Sequence, residues 1–162
     1  SGGAIRFTKT VLLGGKTFEE AIAKSLKVSQ EKAIEIKKEF GLDKKAHNGE
    51  LFSALLPSIA ALADELRRAV FYYQDHAVHT HGAEATVSKI LLSGGDANLL
   101  GLDTYLASSL KIPVTLADPF RFLHDPRTNP TPPIPHHQSL AFTTAIGLAL
   151  RGFHNPWENE IV

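Results

Sequence analysis

Two places in this chain carry residue types and spacings that could do chemistry. The first is Ser93-Gly94-Gly95-Asp96, which follows the short apolar run Lys89–Leu92 and precedes a helical pattern from Leu102 to Leu110. Two glycines let the backbone come close to a ligand with no Cβ in the way. The N–H groups at the start of the next helix could serve an anion or a polar ring. The run matches neither G-x-G-x-x-G nor G-x-x-x-x-G-K-[ST]. On local pattern alone, a plain strand-to-helix turn accounts for it better than a binding loop does. The second place is His76, His79 and His81, whose imidazole nitrogens are spaced so that they could hold zinc. Zinc needs a third or fourth convergent ligand, so ordinary surface histidines explain the run more simply. His136-His137 reads as solvated in the same way. Ser93 has no evident base, which leaves little case for a nucleophile. Arg67-Arg68 reads as i,i+4-type pairing on a helix, Asp64 with Arg68, rather than as a nucleic-acid contact.

The elements that must position these residues follow from periodicity. Ala4–Leu13 alternates and is rich in β-branched residues, so it predicts a strand, ended by Gly14-Gly15. Thr17–Leu26 predicts a helix with Thr17 as N-cap and Glu20 completing a capping box. Ile22 and Leu26 would lie on its apolar face. Ser29 predicts the cap of a second helix with an Ala33, Ile36, Phe40 stripe and Gly41 as its stop. Leu51 to about His76 carries the strongest helical pattern, through Leu55, Ile59, Leu62, Leu66, Val70 and Tyr73. Pro57 within it marks either the true start or a kink. The run from Asp75 to Thr86 reads as a loop. Lys89–Leu92 predicts a buried strand, Leu102–Leu110 a helix, and Ile112–Leu116 a second strand that Pro113 puts near an edge. Arg121–Gln138 holds five of the nine prolines and reads as a loop. Ser139–Phe153 predicts a last apolar helix whose Ala and Gly residues would pack tightly against a neighbour. Strand, helix, strand, helix in the second half predicts an α/β layer, with residues 16–85 as a helical insertion.

Size and composition narrow the classes. A chain of 162 residues suits one domain or two small lobes. Seventeen Lys plus Arg balance seventeen Asp plus Glu, which argues against broad attraction to nucleic acid or anionic lipid. Without cysteine there is no disulfide or thiolate site, as fits a cytosolic protein. No apolar run reaches the roughly 18–20 residues of a membrane span, and no signal peptide opens the sequence. The lack of methionine and the opening Ser1-Gly2-Gly3 predict a piece of a longer protein behind a tag scar.

The longer pattern around the glycine turn adds a family. "ILLSGGDANLLGLDTYLASSLKIPVTLADPF" resembles the C-terminal adenosine motif of actin-like ATPases, and within them the PilM-type proteins of type IV pilus assembly. Three further segments resemble that family in the same order: "IRFTKTVLLGG", "KAIEIKKEFGL" and "SLAFTTAIGLALRG". FtsA-type cell-division relatives fit the "IPV…DPF" and "AIGLALRG" segments less well. The resemblance implies an actin-like (ribonuclease H-like) α/β fold in two lobes with ATP and Mg between them. This chain would be most of the second lobe. Residues 4–15 and 86–162 would form subdomain IIA, a mixed sheet with helices. Residues 16–85 would form the helical insertion, subdomain IIB. The first lobe, where PilN-like partners dock, and both phosphate loops would lie outside it. The protein would then be cytoplasmic, held at the inner membrane through partners. It would be at most a weak ATPase when whole, with no catalytic residue in this part.

Residue by residue, the resemblance makes Gly94 and Gly95 the turn that packs on nucleotide. Asn98 and Leu99 flank the base, and Lys37 reaches the adenosine from the insertion. Two positions depart from the family. Asp96 stands where a small residue is usual; it could hydrogen-bond the sugar or repel the phosphates. Ile34 stands where the family has glutamate, and an isoleucine cannot accept a ribose hydroxyl. Two functions therefore follow: the adenosine side of an ATP cleft, or a degenerate actin-like scaffold that binds protein partners without nucleotide.

Overall fold

A computed structural model describes residues 5–81, 86–121 and 134–153. These residues fall into two compact units. The first runs to Ile90 and includes Leu99–Thr115; the second comprises Leu91–Asn98 and the residues from Leu116 on.

The first unit is built on helices. Helix α1 (Gly15–Leu26) packs on α2 (Gln30–Phe40) and on α3 (Glu50–His81). Each presents an apolar face at helical spacing: Phe18 and Ile22 from α1, Ala33 and Ile36 from α2, Leu51, Leu55, Ile59 and Ala63 from α3, all buried. The α3 stripe has strict i,i+4 steps, and the expected positions Leu62, Leu66 and Val70 are only half-buried beside it. Ser29 caps α2 as its type predicts, its Oγ accepting from the Lys32 N–H at 3.3 Å.

Four expectations are corrected. Helix α1 begins at Gly15 with Gly14 as N-cap and no side-chain cap bond. Thr17 is therefore inside the first turn and makes no capping box. Residues 5–13 form no strand. A strand exists only as part of a ladder, and among the described residues nothing pairs with this backbone. Ile5 and Leu12 stand 84% and 92% exposed. The segment instead lies along α3, with Phe7 against Tyr72 at 5.2 Å and Lys9 bonded to Glu65 at 2.6 Å. Helix α3 runs through Pro57 and on to His81, so the stretch from Asp75 to His81 is helical rather than a loop. Between Pro57 and Gly82 the sequence has no further Gly or Pro, and the pattern has no reason to stop earlier.

Two short strands, β1 (Ile90–Leu92) and β2 (Val114–Leu116), pair in parallel. The Ile90 N–H donates to Pro113 O at 2.9 Å and the Ala117 N–H to Leu92 O at 2.8 Å. Parallel neighbours require a crossover; here it contains α4 (Leu102–Leu110), which buries Leu102 and Leu106. Both strands and α4 lie where the sequence predicts them, to within two residues.

In the second unit, α5 (His136–Ser139) and a single 3-10 turn over Leu140–Phe142 lead into α6 (Thr143–Phe153). Leu140 and Ser139 are buried, and the Ser139 hydroxyl is satisfied by donating to His136 O at 2.6 Å. The fourth correction falls on α6. A Cβ placed on Gly147 would meet nothing within 4 Å, and Leu148 is exposed. Among the described residues, the tight neighbour expected for this helix is not there. Most of the proline-rich stretch, residues 122–133, lies outside the described residues.

Candidate functional site

The glycine turn of the second unit is a 3-10 turn, Gly95–Asn98, entered through Gly94. Gly94 has φ +92°, a conformation that disfavours any side chain. Its N–H donates to Leu140 O at 3.0 Å and its carbonyl accepts from the Ala97 N–H at 3.2 Å. Among the described residues, a Cβ built on Gly94 or Gly95 meets no atom within 4 Å. Close packing against the described residues of this unit thus does not require the glycines, and the backbone beside them is open on that side.

Asn98 does structural work. Its side-chain amide donates to Gly95 O at 3.2 Å and to His137 O at 2.7 Å, tying the turn to the start of α5. The family resemblance implies a place for it beside a base and gives no sign of this tether. Asp96 is exposed. Gly94, Gly95, Asp96 and Asn98 therefore share one turn of the second unit.

Lys37 and Leu99 belong to the first unit. Leu99 is buried. Lys37 lies on α2 next to the buried Ile36, and its Nζ bonds Glu19 Oε1 of α1 at 2.5 Å. Their side chains are only 11% and 17% exposed, so this ion pair is largely withdrawn from water. Glu19 was not legible as a partner, because nothing in the spacing of "TFEEAIAKSL" separates it from Glu20. Ile34 is half-buried on the same helix.

The end of α2 holds a second feature. Gly41 has φ +53° and ψ −123°, and a Cβ there would lie 2.6 Å from both Cβ and O of Leu100. The Leu42 N–H donates to Leu100 O at 2.9 Å. Gly41-Leu42 therefore clamps Leu100, just past the glycine turn in sequence. Read as a sequence, Gly41 was only a helix stop.

Of the histidines, His76 stacks on Tyr72 at 3.9 Å, with Nδ1 2.9 Å from Tyr72 O. The side chains of His79 and His81 lie outside the described residues. Among the described residues no group of three or more His, Asp or Glu is placed to hold a metal ion, and no helix is long and apolar enough to cross a membrane.

The fold is a helix-rich α/β arrangement with a small parallel sheet and an open glycine turn after its first strand. The sequence profile of the family described as type IV pilus assembly protein PilM matches residues 1–153. The chain belongs to that family. Among solved structures it is similar to a chain of a PilM-PilN type IV pilus biogenesis complex, with a TM-score of 0.67 and 28% identity. The likeness covers 86% of this chain and 37% of that one, so this chain spans well under half of its relative's length. No curated protein matches it.

Proposed function

We propose that this chain supplies the adenosine side of the nucleotide cleft in a PilM-type actin-like protein. Residues around the glycine turn would belong to subdomain IIA and α1–α3 to subdomain IIB. The observation that carries this reading is the turn itself. Gly94 is held at φ +92°, and among the described residues no atom lies within 4 Å of a Cβ built on Gly94 or Gly95. A backbone kept bare of side chains and open on that side fits the flat packing of an adenosine. The Gly94 N–H is engaged by Leu140 O, so this residue would contribute contact rather than a hydrogen bond. Mg and the phosphates would be held outside this chain. The protein would then act at the pilus assembly platform, reaching the inner membrane through a PilN-like partner of the kind present in the related complex.

A second reading is a scaffold that binds protein partners without nucleotide. Ile34 and Asp96 favour it, as does the engagement of Lys37 by Glu19. Calorimetric titration of the whole protein, both lobes included, with Mg-ATP separates the two. Heat and a thermal shift support the cleft. No heat at millimolar ATP leaves the scaffold.

A further inference from the structure

A partly open cavity of about 590 Å³ lies in the first unit, between the turn after α2, the start of α3 and one face of α4. It is built from residues that have no part in the reading above. Leu42 is its buried floor and Phe52 one wall. Thr104 and Tyr105, and one turn later Ser108, line it from α4; the Thr104 hydroxyl already donates to Asp103 Oδ1 at 3.4 Å. The positions 104 and 108 are four apart, so their side chains stack on one helix face. The ammonium of Lys44 sits over the Phe52 ring, 5.5 Å from its centroid. Among the described residues no carboxylate pairs with Lys44. Ser109, at the rim, is already engaged: Arg67 donates to its carbonyl and to its Oγ at 3.1 and 3.0 Å.

The volume is that of a small-ligand site. An apolar floor and an aromatic wall call for a planar or apolar body. A cation poised on that wall without an acid calls for one negative group at the mouth. The Tyr105 and Ser108 hydroxyls of α4 can donate to the same group or to a neighbouring carbonyl. We propose that this cavity binds an aromatic group bearing a single carboxylate. Such a group occurs as a free aromatic acid or as the terminal residue of a polypeptide.

The test is amide chemical-shift mapping on the protein with three probes at millimolar concentration: phenylacetate, its neutral isostere phenylacetamide, and a short peptide ending in phenylalanine with a free carboxylate. Shifts are expected at Leu42, Phe52, Thr104 and Tyr105, with phenylacetate binding roughly two- to fivefold tighter than the amide, as a solvent-exposed charge contact allows. Lys44→Ala, at an exposed position where folding is not at stake, should bring the two to equal affinity. Tighter binding of the peptide would assign the site to a protein terminus, and tighter binding of phenylacetate to a free acid; both uphold the site. Absence of shifts at these residues overturns the proposal, as does equal binding of acid and amide by the parent protein, or an unchanged preference in Lys44→Ala. None of these outcomes depends on whether ATP binds.

Discussion

Gly41 and Leu100 touch backbone to backbone: a methyl added to Gly41 would stand 2.6 Å from the Leu100 carbonyl oxygen and 2.8 Å from its nitrogen. The contact joins the end of α2 to the approach of α4 and is reinforced by the Leu42 N–H bond to Leu100 O. Gly101 completes the junction less tightly, since its added Cβ would meet Leu42 Cβ at 3.4 Å.

Gly41→Ala should therefore be among the most damaging single-methyl changes in the chain. The collision is with backbone, which cannot swing aside, and the φ of +53° with ψ of −123° is strained for alanine. A loss of about 3 kcal/mol or more is expected in urea unfolding. Gly101→Ala, at φ +82° with ordinary contact distance, should cost about 1–2 kcal/mol. Equal losses in the two variants would contradict the junction described.

Lys27 and Lys111 end α1 and α4 in the left-handed region, at φ +53° and +59°, each donating its N–H back into the helix. A side chain is disfavoured there, and glycine is not. Lys27→Gly and Lys111→Gly should each stabilise by about 0.5–1 kcal/mol. That is a rise in Tm of roughly 1–4 °C for a chain of this size, read by calorimetry.

The Glu65 carboxylate is held below its ordinary pKa, first by the hydrogen bond from Lys9 and then by that from Arg68. A depressed folded-state pKa means that the unfolded state binds the proton more readily. The stabilisation is present above the unfolded pKa and is lost as pH falls through the lowered folded value. Lys9→Met should raise the Glu65 pKa in a carbon-detected NMR titration and flatten the acid limb of stability. An unmoved titration would mean that residues 5–13 do not lie along α3 in solution.

The Lys37–Glu19 pair should behave differently from surface pairs on the same helices. Lys16 and Glu20, 4.0 Å apart and 86% and 61% exposed, are screened by water and salt and should add little. Removing Glu19 takes from a mostly covered ammonium its 2.5 Å carboxylate contact. Glu19→Ala should cost about 1–3 kcal/mol, with weak dependence on salt. Glu20→Ala should be near neutral. Unfolding of both variants at low and high salt checks the contrast.

What the sequence made legible was what repeats or punctuates. The α2 stripe, the Ser29 cap, both strands, α4 and the glycine turn all announce themselves through spacing or residue type. What it hid depends on residues distant in the chain. Glu19 finds Lys37 across two helices, Asn98 finds the His137 carbonyl, and Gly41 meets Leu100, none of which has a local signature. The alternation in residues 5–13 is a strand pattern, yet a strand also needs a partner edge, and pattern cannot supply one. The double glycine of "LGGK" read as the end of that strand; it turned out to open α1.

Asp96 puts a carboxylate on the glycine turn where phosphates would approach. Two like charges about 4 Å apart repel by roughly 4 kcal/mol at an effective dielectric near 20. Asp96 is exposed, so water screens much of this, and about 1 kcal/mol is the more reasonable expectation. Asp96→Gly in the whole protein should then tighten Mg-ATP binding about fivefold. Ile34→Glu, at a half-buried position of α2, would supply an acceptor for a ribose hydroxyl, with about 1.5 kcal/mol expected for a charged hydrogen bond, or roughly tenfold. Calorimetry on the parent, each single variant and the double variant measures this directly. Graded tightening would mean that the cleft binds adenosine and that these two side chains weaken it. If even the double variant gives no heat, the open glycine turn is not a nucleotide site, and the scaffold reading stands.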